Sequence, residues 1–232
     1  MTLQEILLRY RFRDLIPYGL AQVLDAADRL YSSVRFMIQC LWHGVELTRS
    51  PPPKVWGRAK IRRFPRSQIQ IGSGFRLVTR SGRYAYNIFP QALIRTYSET
   101  SRVIIGSGVG VNSVALFCRS QTIRIGDNTM IGGNCQIMDS DGHPLWPPAS
   151  RWNYSGSEHD RSVDIGANVF IGLNVIILKG ARIGDGSIIA AGSIVRGDIP
   201  ANCLAAGIPA KVVRYFASSV EAEMLATGVK DD

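Results

Sequence analysis

One large apolar residue recurs at every sixth position through much of the C-terminal half of this 232-residue chain. An unbroken series of six consists of Ile165, Ile171, Ile177, Ile183, Ile189 and Val195. Shorter series precede it, at Ile125, Ile131 and Ile137 and at Ile105, Val111 and Phe117. A period of six matches neither an α-helix nor an alternating β-strand, so neither element alone explains the pattern.

Small residues and turn formers occupy fixed places between these apolar positions. Four residues after each apolar position stands a small or β-branched side chain: Val109, Ala115, Thr129, Cys135, Val169, Val175, Ala181, Ser187 and Ser193. Glycine followed by Asn, Asp or Gly supplies turn conformations at residues 126–128, 166–168, 172–174 and 184–186. The pattern predicts straight sides that alternate with tight corners, three sides to a coil. Such a chain is a solenoid whose coils bury their interior by stacking.

At these residues the sequence resembles the hexapeptide-repeat acyltransferases, whose fold is a left-handed parallel β-helix. The resemblance implies a mainly β protein, to which we expect an N-terminal helical extension and a short C-terminal helix to be added. We expect a basic helical extension and linker over residues 1–66, the β-helix over 67–210, and a helix or tail over 211–232. Residues 69–77 and 92–94 are expected to form irregular, wider coils that open the solenoid.

The repeat stops after Ile137 and resumes at Ile165, a spacing that is not a multiple of six. Residues 138–163 are therefore an inserted loop, and long loops in compact repeat folds are usually functional. The loop contains two of the three histidines and two of the four tryptophans of the chain.

The resemblance implies a role in proton transfer for His143, which follows an Asp-rich turn within this loop. A neutral imidazole, with a pKa of about 6.5, can take the proton of a sugar hydroxyl as its oxygen attacks a thioester. Asp139 or Asp141 is expected either to accept the other ring N–H or to hold the acceptor sugar. We expect four more residues to contact the acceptor: Trp146, Arg151, Trp152 and Asn134. His43 and His159 are expected to take no part.

The C-terminal coils resemble the part of this family that binds acetyl-CoA. The residues expected to contact the coenzyme are Phe170, Gly172, Ala190, Ala191, Gly192, Ala206, Lys211 and Arg214. Small residues would let the pantetheine arm lie against the backbone. The cationic side chains of Lys211 and Arg214 would bind the coenzyme's phosphates. The alternative is that Lys211 and Arg214 are solvated at the start of a helix. No metal is expected, because the three histidines do not cluster in the sequence.

Positive charge is concentrated in the first hundred residues, which hold 16 Lys and Arg against 6 Asp and Glu. No acidic residue occurs between Leu47 and Ser98. The helical stretch 3–42 has an apolar face and several arginines, which leaves two interpretations open. It lies on an anionic membrane surface, or it packs its apolar face on the first coil, as amphipathic helices ordinarily do. Nucleic acid is not expected as a partner, because no nucleic-acid fold accompanies the basic patch.

The main hypothesis is an acetyl-CoA-dependent acetyltransferase that acts by direct transfer on a sugar hydroxyl of a cell-surface polysaccharide or its precursor. The alternatives are an N-acetyltransferase acting on an amino sugar, free or nucleotide-linked, and a non-catalytic β-helix scaffold. The resemblance also implies a homotrimer with sites between subunits. The N-terminus lacks signal-peptide features, and the four cysteines form no CxxC pair. We therefore expect a cytoplasmic protein, with peripheral contact at the inner membrane face as an option.

Overall fold

The computed structural model of the protein describes residues 12–80 and 88–216. One long helix, α1 (Phe12–Trp42), precedes a series of short strands that form three sheets, here called faces A, B and C. Face A contains β1 (Glu46–Leu47), β4 (Gln68–Ile71), β7 (Arg102–Ile105), β10 (Thr122–Ile125), β13 (Val163–Ile165), β16 (Arg182–Ile183) and β19 (Asp198–Ile199). Face B contains β2 (Lys54–Trp56), β5 (Arg76–Val78), β8 (Gly110–Asn112), β11 (Met130–Ile131), β14 (Phe170–Ile171), β17 (Ile188–Ile189), β20 (Cys203–Gly207) and β21 (Ala210–Tyr215). Face C contains β3 (Ala59–Arg62), β6 (Ala92–Thr96), β9 (Ala115–Cys118), β12 (Gln136–Met138), β15 (Ile176–Ile177) and β18 (Ile194–Val195).

Consecutive strands from β1 to β20 visit faces A, B and C in turn, and each strand pairs in parallel with the strand one coil away. This order makes a triangular prism of stacked coils, as the six-residue period predicts. The fold is the left-handed parallel β-helix that the resemblance implies. Strands do form within residues 69–77 and 92–94, as parts of β4, β5 and β6. They do not open the solenoid as expected, because β1, β2 and β3 form a coil before them.

The core is a column of apolar side chains along each face. Ile125, Ile165 and Ile183 are aligned neighbours on face A, and all three are buried. One expected inward residue is wrong: Leu116, not Phe117, is aligned with Ile137 and fully buried. The preceding corner is one residue shorter than the repeat requires, and a shift of one residue moves a strand side chain to the other face. Phe117 therefore points outward, where its ring meets Tyr97 at a centroid distance of 4.6 Å.

Close stacking of the coils explains the small residues at the corners. A Cβ on Gly126 would lie 2.5 Å from the backbone nitrogen of Ala167 in the next coil, a distance that no side chain tolerates. Asn128 adopts the left-handed conformation with φ of 56°, which asparagine accepts more readily than most residues. Beside it, the buried hydroxyl of Thr129 donates a hydrogen bond of 2.8 Å to the Gly166 carbonyl. The corners thus join adjacent coils as well as turning the chain.

Both ends of the β-helix differ from the expected boundaries. Residues 46–62, expected to belong to the extension and linker, form β1, β2 and β3 of the first coil. At the other end, Ala210–Tyr215 is a strand and not the start of the expected helix. It turns back and pairs antiparallel with β20, because the last coil leaves a free strand edge that a returning strand can satisfy. The remainder of the expected helix or tail, residues 217–232, lies outside the described part of the chain.

Helix α1 lies against the first coil, but it does so with the opposite face from the one that its apolar spacing predicts. The residues that face the β-helix are Asp25, Asp28, Ser32, Ser33, Phe36 and Cys40. Ser33 Oγ accepts a hydrogen bond of 3.0 Å from the Val55 N–H, and Ser32 Oγ accepts one of 3.2 Å from the Gly57 N–H. The helix therefore satisfies backbone donors at the open end of the prism. Within the described residues, no helix combines the length and hydropathy needed to span a bilayer.

The inward and outward sides of one strand give a direct test of this core. Ile105 is buried in the prism, whereas its neighbour Ile104 points outward on face A. Ile105→Ala is expected to lower the free energy of unfolding by about 2–5 kcal/mol, because it leaves a cavity between stacked coils. Ile104→Ala, the matched control, is expected to cost less than about 1.5 kcal/mol. Chemical denaturation measures both, and equal losses would contradict the assigned register.

Candidate active site

The inserted loop starts from a buried carboxylate. Asp139 directly follows β12 and is fully buried. Its two carboxylate oxygens accept hydrogen bonds from the backbone N–H groups of Arg119, Ser120 and Gln121, at 2.7, 3.1 and 2.8 Å. These donors belong to the same corner of the preceding coil, where no sheet ladder satisfies them. The carboxylate of Asp139 therefore anchors the loop, and it does not line the pocket that the loop encloses.

Arg119 ties the loop to the β-helix from the same corner. Its guanidinium donates to the Ser140 hydroxyl at 2.9 Å and to the Ser155 carbonyl, and it lies 3.7 Å from the carboxylate of Asp160. Asp160 is buried and also accepts a hydrogen bond of 2.7 Å from the Ser120 hydroxyl. Both ends of the loop are thus held by polar contacts to one corner, and only its middle projects from the prism.

A pocket of about 400 Å³ lies between the loop and the next coil. The residues that line it are Asp141, His143, Pro144, Leu145, Trp146, Gly156, His159, Asp160, Arg161 and Lys179. The structure therefore brings together three of the residues predicted from the sequence: His143, Asp141 and Trp146. His159, which we did not expect to take part, is also at the pocket.

Lys179 is a pocket residue that the sequence analysis missed. Its ammonium nitrogen lies 2.5 Å from a carboxylate oxygen of Asp141, and both side chains are more than two-thirds buried. Because Ile137 and Ile177 are aligned neighbours on face C, the corner that holds Lys179 stacks on the corner where the loop begins. Counting forward from Ile177 would have identified this position. The ion pair fixes the Asp141 carboxylate in the lining of the pocket.

The imidazole of His143 has a defined hydrogen-bond partner. Its Nδ1 lies 3.1 Å from the carbonyl oxygen of Pro144. A carbonyl only accepts hydrogen bonds, so this contact places the ring proton on Nδ1 and leaves the lone pair on Nε2. The carbonyl of Pro144, and not a carboxylate of Asp139 or Asp141, is the partner that the structure shows for this nitrogen.

The four residues expected to contact the acceptor lie in different places. Trp146 is 78% exposed and lines the pocket. Arg151 donates a hydrogen bond of 3.1 Å to the Leu145 carbonyl, and Trp152 is 91% exposed; neither lines the pocket. Asn134 sits at the corner between faces B and C, where its side-chain oxygen accepts a hydrogen bond of 2.7 Å from the Phe89 N–H. The structure does not bring Asn134 together with the loop residues.

The residues expected to contact the coenzyme share face B and the corner between faces B and C. Phe170, Ala206, Lys211 and Arg214 lie on strands of face B, with the side chains of Phe170, Lys211 and Arg214 exposed. Ala191 and Gly192 form an exposed corner next to the half-buried Ala190. Gly172 differs, because a Cβ there would lie 2.6 Å from the Ala191 nitrogen. Coil stacking alone therefore requires glycine at position 172.

These two groups of residues lie at different corners of the prism. His143 belongs to the loop between β12 on face C and β13 on face A, whereas the expected coenzyme residues lie on face B and at the corner between B and C. Within one chain, the pocket and this corner are therefore separate surfaces.

The other groups that could take part in chemistry are metal ligands and cysteine thiols. Among residues 12–80 and 88–216, no three His, Cys, Asp or Glu side chains come together as a metal ion would require. The four cysteines are free and buried. Burial raises the pKa of the Cys40 thiol to about 12 and that of Cys135 to about 11. Burial and the nearby charge of Asp139 also raise the pKa of Cys118, so none of these three thiols is a nucleophile near neutral pH.

Comparison with known proteins identifies the repeat. The model of the bacterial transferase hexapeptide (six repeats) matches residues 162–197, and that of the hexapeptide repeat of succinyl-transferase matches residues 122–142. The galactoside O-acetyltransferase of Escherichia coli (strain K12) is 38% identical over 118 residues, which cover 51% of this chain. The chain spans 56% of the length of that enzyme.

Solved structures share the fold at low sequence identity. AntD, an N-acyltransferase from Bacillus cereus crystallised with dTDP-4-amino-4,6-dideoxyglucose and coenzyme A, gives a TM-score of 0.58 at 17% identity. That comparison covers 83% of this chain and 96% of AntD. The hexapeptide-repeat acetyltransferase VCA0836 from Vibrio cholerae gives 0.50 at 20% identity, with coverage of 86% and 90%.

Fold and pocket together define a parallel β-helix with one loop inserted at a corner, where it forms a pocket with the next coil. The coils on both sides of the inserted loop match the two hexapeptide-repeat models.

The buried anchor of the loop can be tested by comparing two aspartates. Asp139→Ala leaves three backbone donors without their charged acceptor, so we expect a loss of about 3 kcal/mol or more in the free energy of unfolding. Asp164→Ala, the control, breaks only an exposed ion pair of 3.6 Å with Arg124 and is expected to cost less than about 1 kcal/mol. Urea denaturation measures both. A loss for Asp139→Ala as small as that of the control would contradict the anchoring role.

Proposed function

We propose that this protein is an acetyl-CoA-dependent acetyltransferase that transfers an acetyl group to a sugar hydroxyl. The acceptor we propose is part of a cell-surface polysaccharide or its precursor. The observation that carries the proposal is the His143 imidazole, which lines the pocket with Nε2 free to accept a proton. The 38% identity to a galactoside O-acetyltransferase supports oxygen, rather than nitrogen, as the acceptor atom.

In this mechanism Nε2 of His143 takes the proton of the acceptor hydroxyl while the hydroxyl oxygen attacks the thioester carbonyl. The Pro144 carbonyl holds the ring in the required tautomer throughout, because it accepts the Nδ1–H and also stabilises the imidazolium that forms. The protonated ring then returns its proton to the departing thiolate of coenzyme A. The acetyl group passes directly to the acceptor oxygen.

The ion pair between Asp141 and Lys179 suits a role for Asp141 in holding the acceptor. Lys179 neutralises and holds the Asp141 carboxylate, which leaves its remaining acceptor positions free for hydroxyl groups of a sugar. Trp146 offers an exposed aromatic surface at the same pocket, against which the apolar side of a sugar ring can pack. Specificity for a sugar would follow from this combination of a fixed carboxylate and an aromatic surface.

Coenzyme binding is proposed for the exposed part of face B and its corner with face C. The open backbone at Ala191 and Gly192 fits a narrow pantetheine arm, and a Cβ built on Gly192 meets nothing within 4 Å. Lys211 and Arg214 are exposed on β21, where they can bind phosphates as a point charge and a forked donor. Gly172 is left out of this group, since coil packing explains it.

The separation of the two groups supports a homotrimer as the working unit. The outward row of face A is mostly polar and includes Arg124, Asp164 and Arg182. Outward rows on the other two faces are largely apolar: Met130, Phe170, Ile188 and Leu204 on face B, and Leu93, Ala115, Ile176 and Ile194 on face C. Packing face B of one chain near face C of the next would cover these rows and bring the loop of one chain towards the coenzyme-binding face B of another.

We place this activity in the cytoplasm. Four free cysteines, all buried, are typical of a reducing compartment, and acetyl-CoA is available there. A cytoplasmic chain also has access to the inner leaflet of the membrane, whose headgroups are anionic, and helix α1 is the element that would meet it.

The proton acceptor is tested by two histidine substitutions. His143→Ala is expected to lower kcat by about 10²–10⁴ with little change in coenzyme binding, because the base is lost and the coenzyme surface is not. His43→Ala, which lies outside the pocket at the end of α1, is the matched control and should keep full activity. Thiol release from acetyl-CoA, measured over a panel of sugars and amino sugars, gives the rates and separates O- from N-acceptors. An unchanged rate for His143→Ala would remove this residue from the mechanism.

A shared site between subunits is tested by mixing two inactive chains. His143→Ala removes the base, and Ala191→Trp blocks the coenzyme corner. If each site takes its loop and its corner from different chains, a one-to-one co-assembly of the two variants recovers about a quarter of wild-type activity. If each site lies within a single chain, the mixture stays inactive.

A further inference from the structure

Helix α1 carries a continuous apolar stripe on the side that faces away from the β-helix. Its exposed members recur at intervals of three and four residues: Leu20, Val23, Leu24, Leu30, Tyr31, Val34, Ile38, Leu41 and Trp42. Leu30 is 68% exposed and Trp42 is 86% exposed. Isolated exposed apolar residues are ordinary, but a contiguous stripe along six turns of helix marks an interaction surface.

Polar contacts fix this orientation of the helix. The Trp56 indole N–H donates to the Asp25 carboxylate at 3.3 Å, and the Asp28 carboxylate forms an ion pair of 2.9 Å with Arg80. Ser32 and Ser33 accept backbone N–H groups of the first coil from the same side of the helix. Rotating α1 to bury its apolar stripe on the prism would break all four contacts. The stripe therefore needs another partner.

The charges around the stripe favour an anionic partner. Both aspartates of this part of the helix, Asp25 and Asp28, face the prism rather than the stripe. Arg35 borders the stripe and shares a groove with basic residues of the first coil, Lys60, Arg62 and Arg63. No acidic residue occurs between Leu47 and Ser98 to offset them. The helix thus presents an apolar surface next to a basic one, the pattern of interfacial membrane helices.

We propose that helix α1 lies in the plane of an anionic membrane surface, with its apolar stripe among the acyl chains and its basic flank at the headgroups. Trp42 at the end of the stripe suits the boundary between headgroups and hydrocarbon. A pair of copies joined through the same stripe would instead place two strongly basic regions side by side, which costs electrostatic energy. The inference rests on α1 alone and does not depend on the proposed chemistry.

This placement gives the β-helix a direction relative to the membrane. Helix α1 covers the first coil, so that end of the prism would lie nearest the bilayer. The inserted loop begins three coils further on, after β12. At a strand spacing of about 4.8 Å, the pocket would stand about 15 Å above the first coil and face the aqueous side.

Sedimentation of the full chain with lipid vesicles tests the proposal. Vesicles of phosphatidylcholine alone are compared with vesicles that contain about 30% phosphatidylglycerol. The wild-type chain is expected to bind the anionic vesicles. The double variant Leu30→Gln with Ile38→Gln should bind them at least about tenfold more weakly, because two side chains leave the apolar layer. The double variant Arg35→Gln with Lys60→Gln should also weaken binding to the anionic vesicles about tenfold. It should not change any binding to vesicles of phosphatidylcholine alone.

The matched control removes exposed apolar side chains at the far end of the prism. Ile208→Gln with Val213→Gln changes two residues as exposed as those of the stripe and should leave vesicle binding unchanged. Circular dichroism checks that each variant keeps its helix content. No binding of the wild-type chain, or equal binding by the stripe variant, would overturn the proposal. The proposal would also be overturned if the stripe variant dissociated a larger oligomer but still bound vesicles, because the stripe would then join copies of the chain. Loss of vesicle binding leaves the His143 experiment unaffected, because that assay uses soluble acceptors.

Discussion

The packing of one apolar side chain per strand against its counterparts one coil away is the interaction on which this structure depends. Ile131, Ile171 and Ile189 show the arrangement on face B, where aligned residues are all buried. Parallel hydrogen bonds between the same strands fix the spacing of the coils, and that spacing leaves no room for side chains at positions such as Gly126. A chain built in this way gains its stability from repetition, and it can accept an insertion at a corner without disturbing the coils on either side.

The loop at residues 138–163 is an insertion of this kind, and buried charged groups hold it against the β-helix. Asp139 binds three backbone donors at the corner of the preceding coil, and Arg119 reaches from that corner to Asp160 and Ser140 at the two ends of the loop. Charged hydrogen bonds of this kind are strong when partly shielded from water. They explain how a segment without regular strands holds His143 and Trp146 at one pocket. The rigid corner, and not the loop itself, determines where the pocket forms.

The outward side chains of the three faces differ in polarity, and the packing of the core does not require this difference. Face A carries alternating charges such as Arg124 and Asp164, while the outward rows of faces B and C are largely apolar. Helix α1 adds a third apolar surface at one end. Since coil stacking constrains only inward residues, outward positions are free to reflect what each side contacts. Their distribution supports the proposed packing between copies of the chain and the proposed membrane contact at the first coil.

The repeat, the triangular coil and the place of the insertion could be predicted from the sequence alone, because inward packing imposes a fixed period along the chain. The sequence also indicated His143 as the candidate base. It did not show the register shift at Leu116, the returning strand Ala210–Tyr215, or the strands within residues 46–62. Those features depend on corner lengths and on free strand edges. Only the tertiary structure placed Lys179 beside Asp141, put Asp139 to use as an anchor, and turned the apolar side of α1 outward. Each of these is decided by contacts between residues far apart in the chain, which no local pattern encodes.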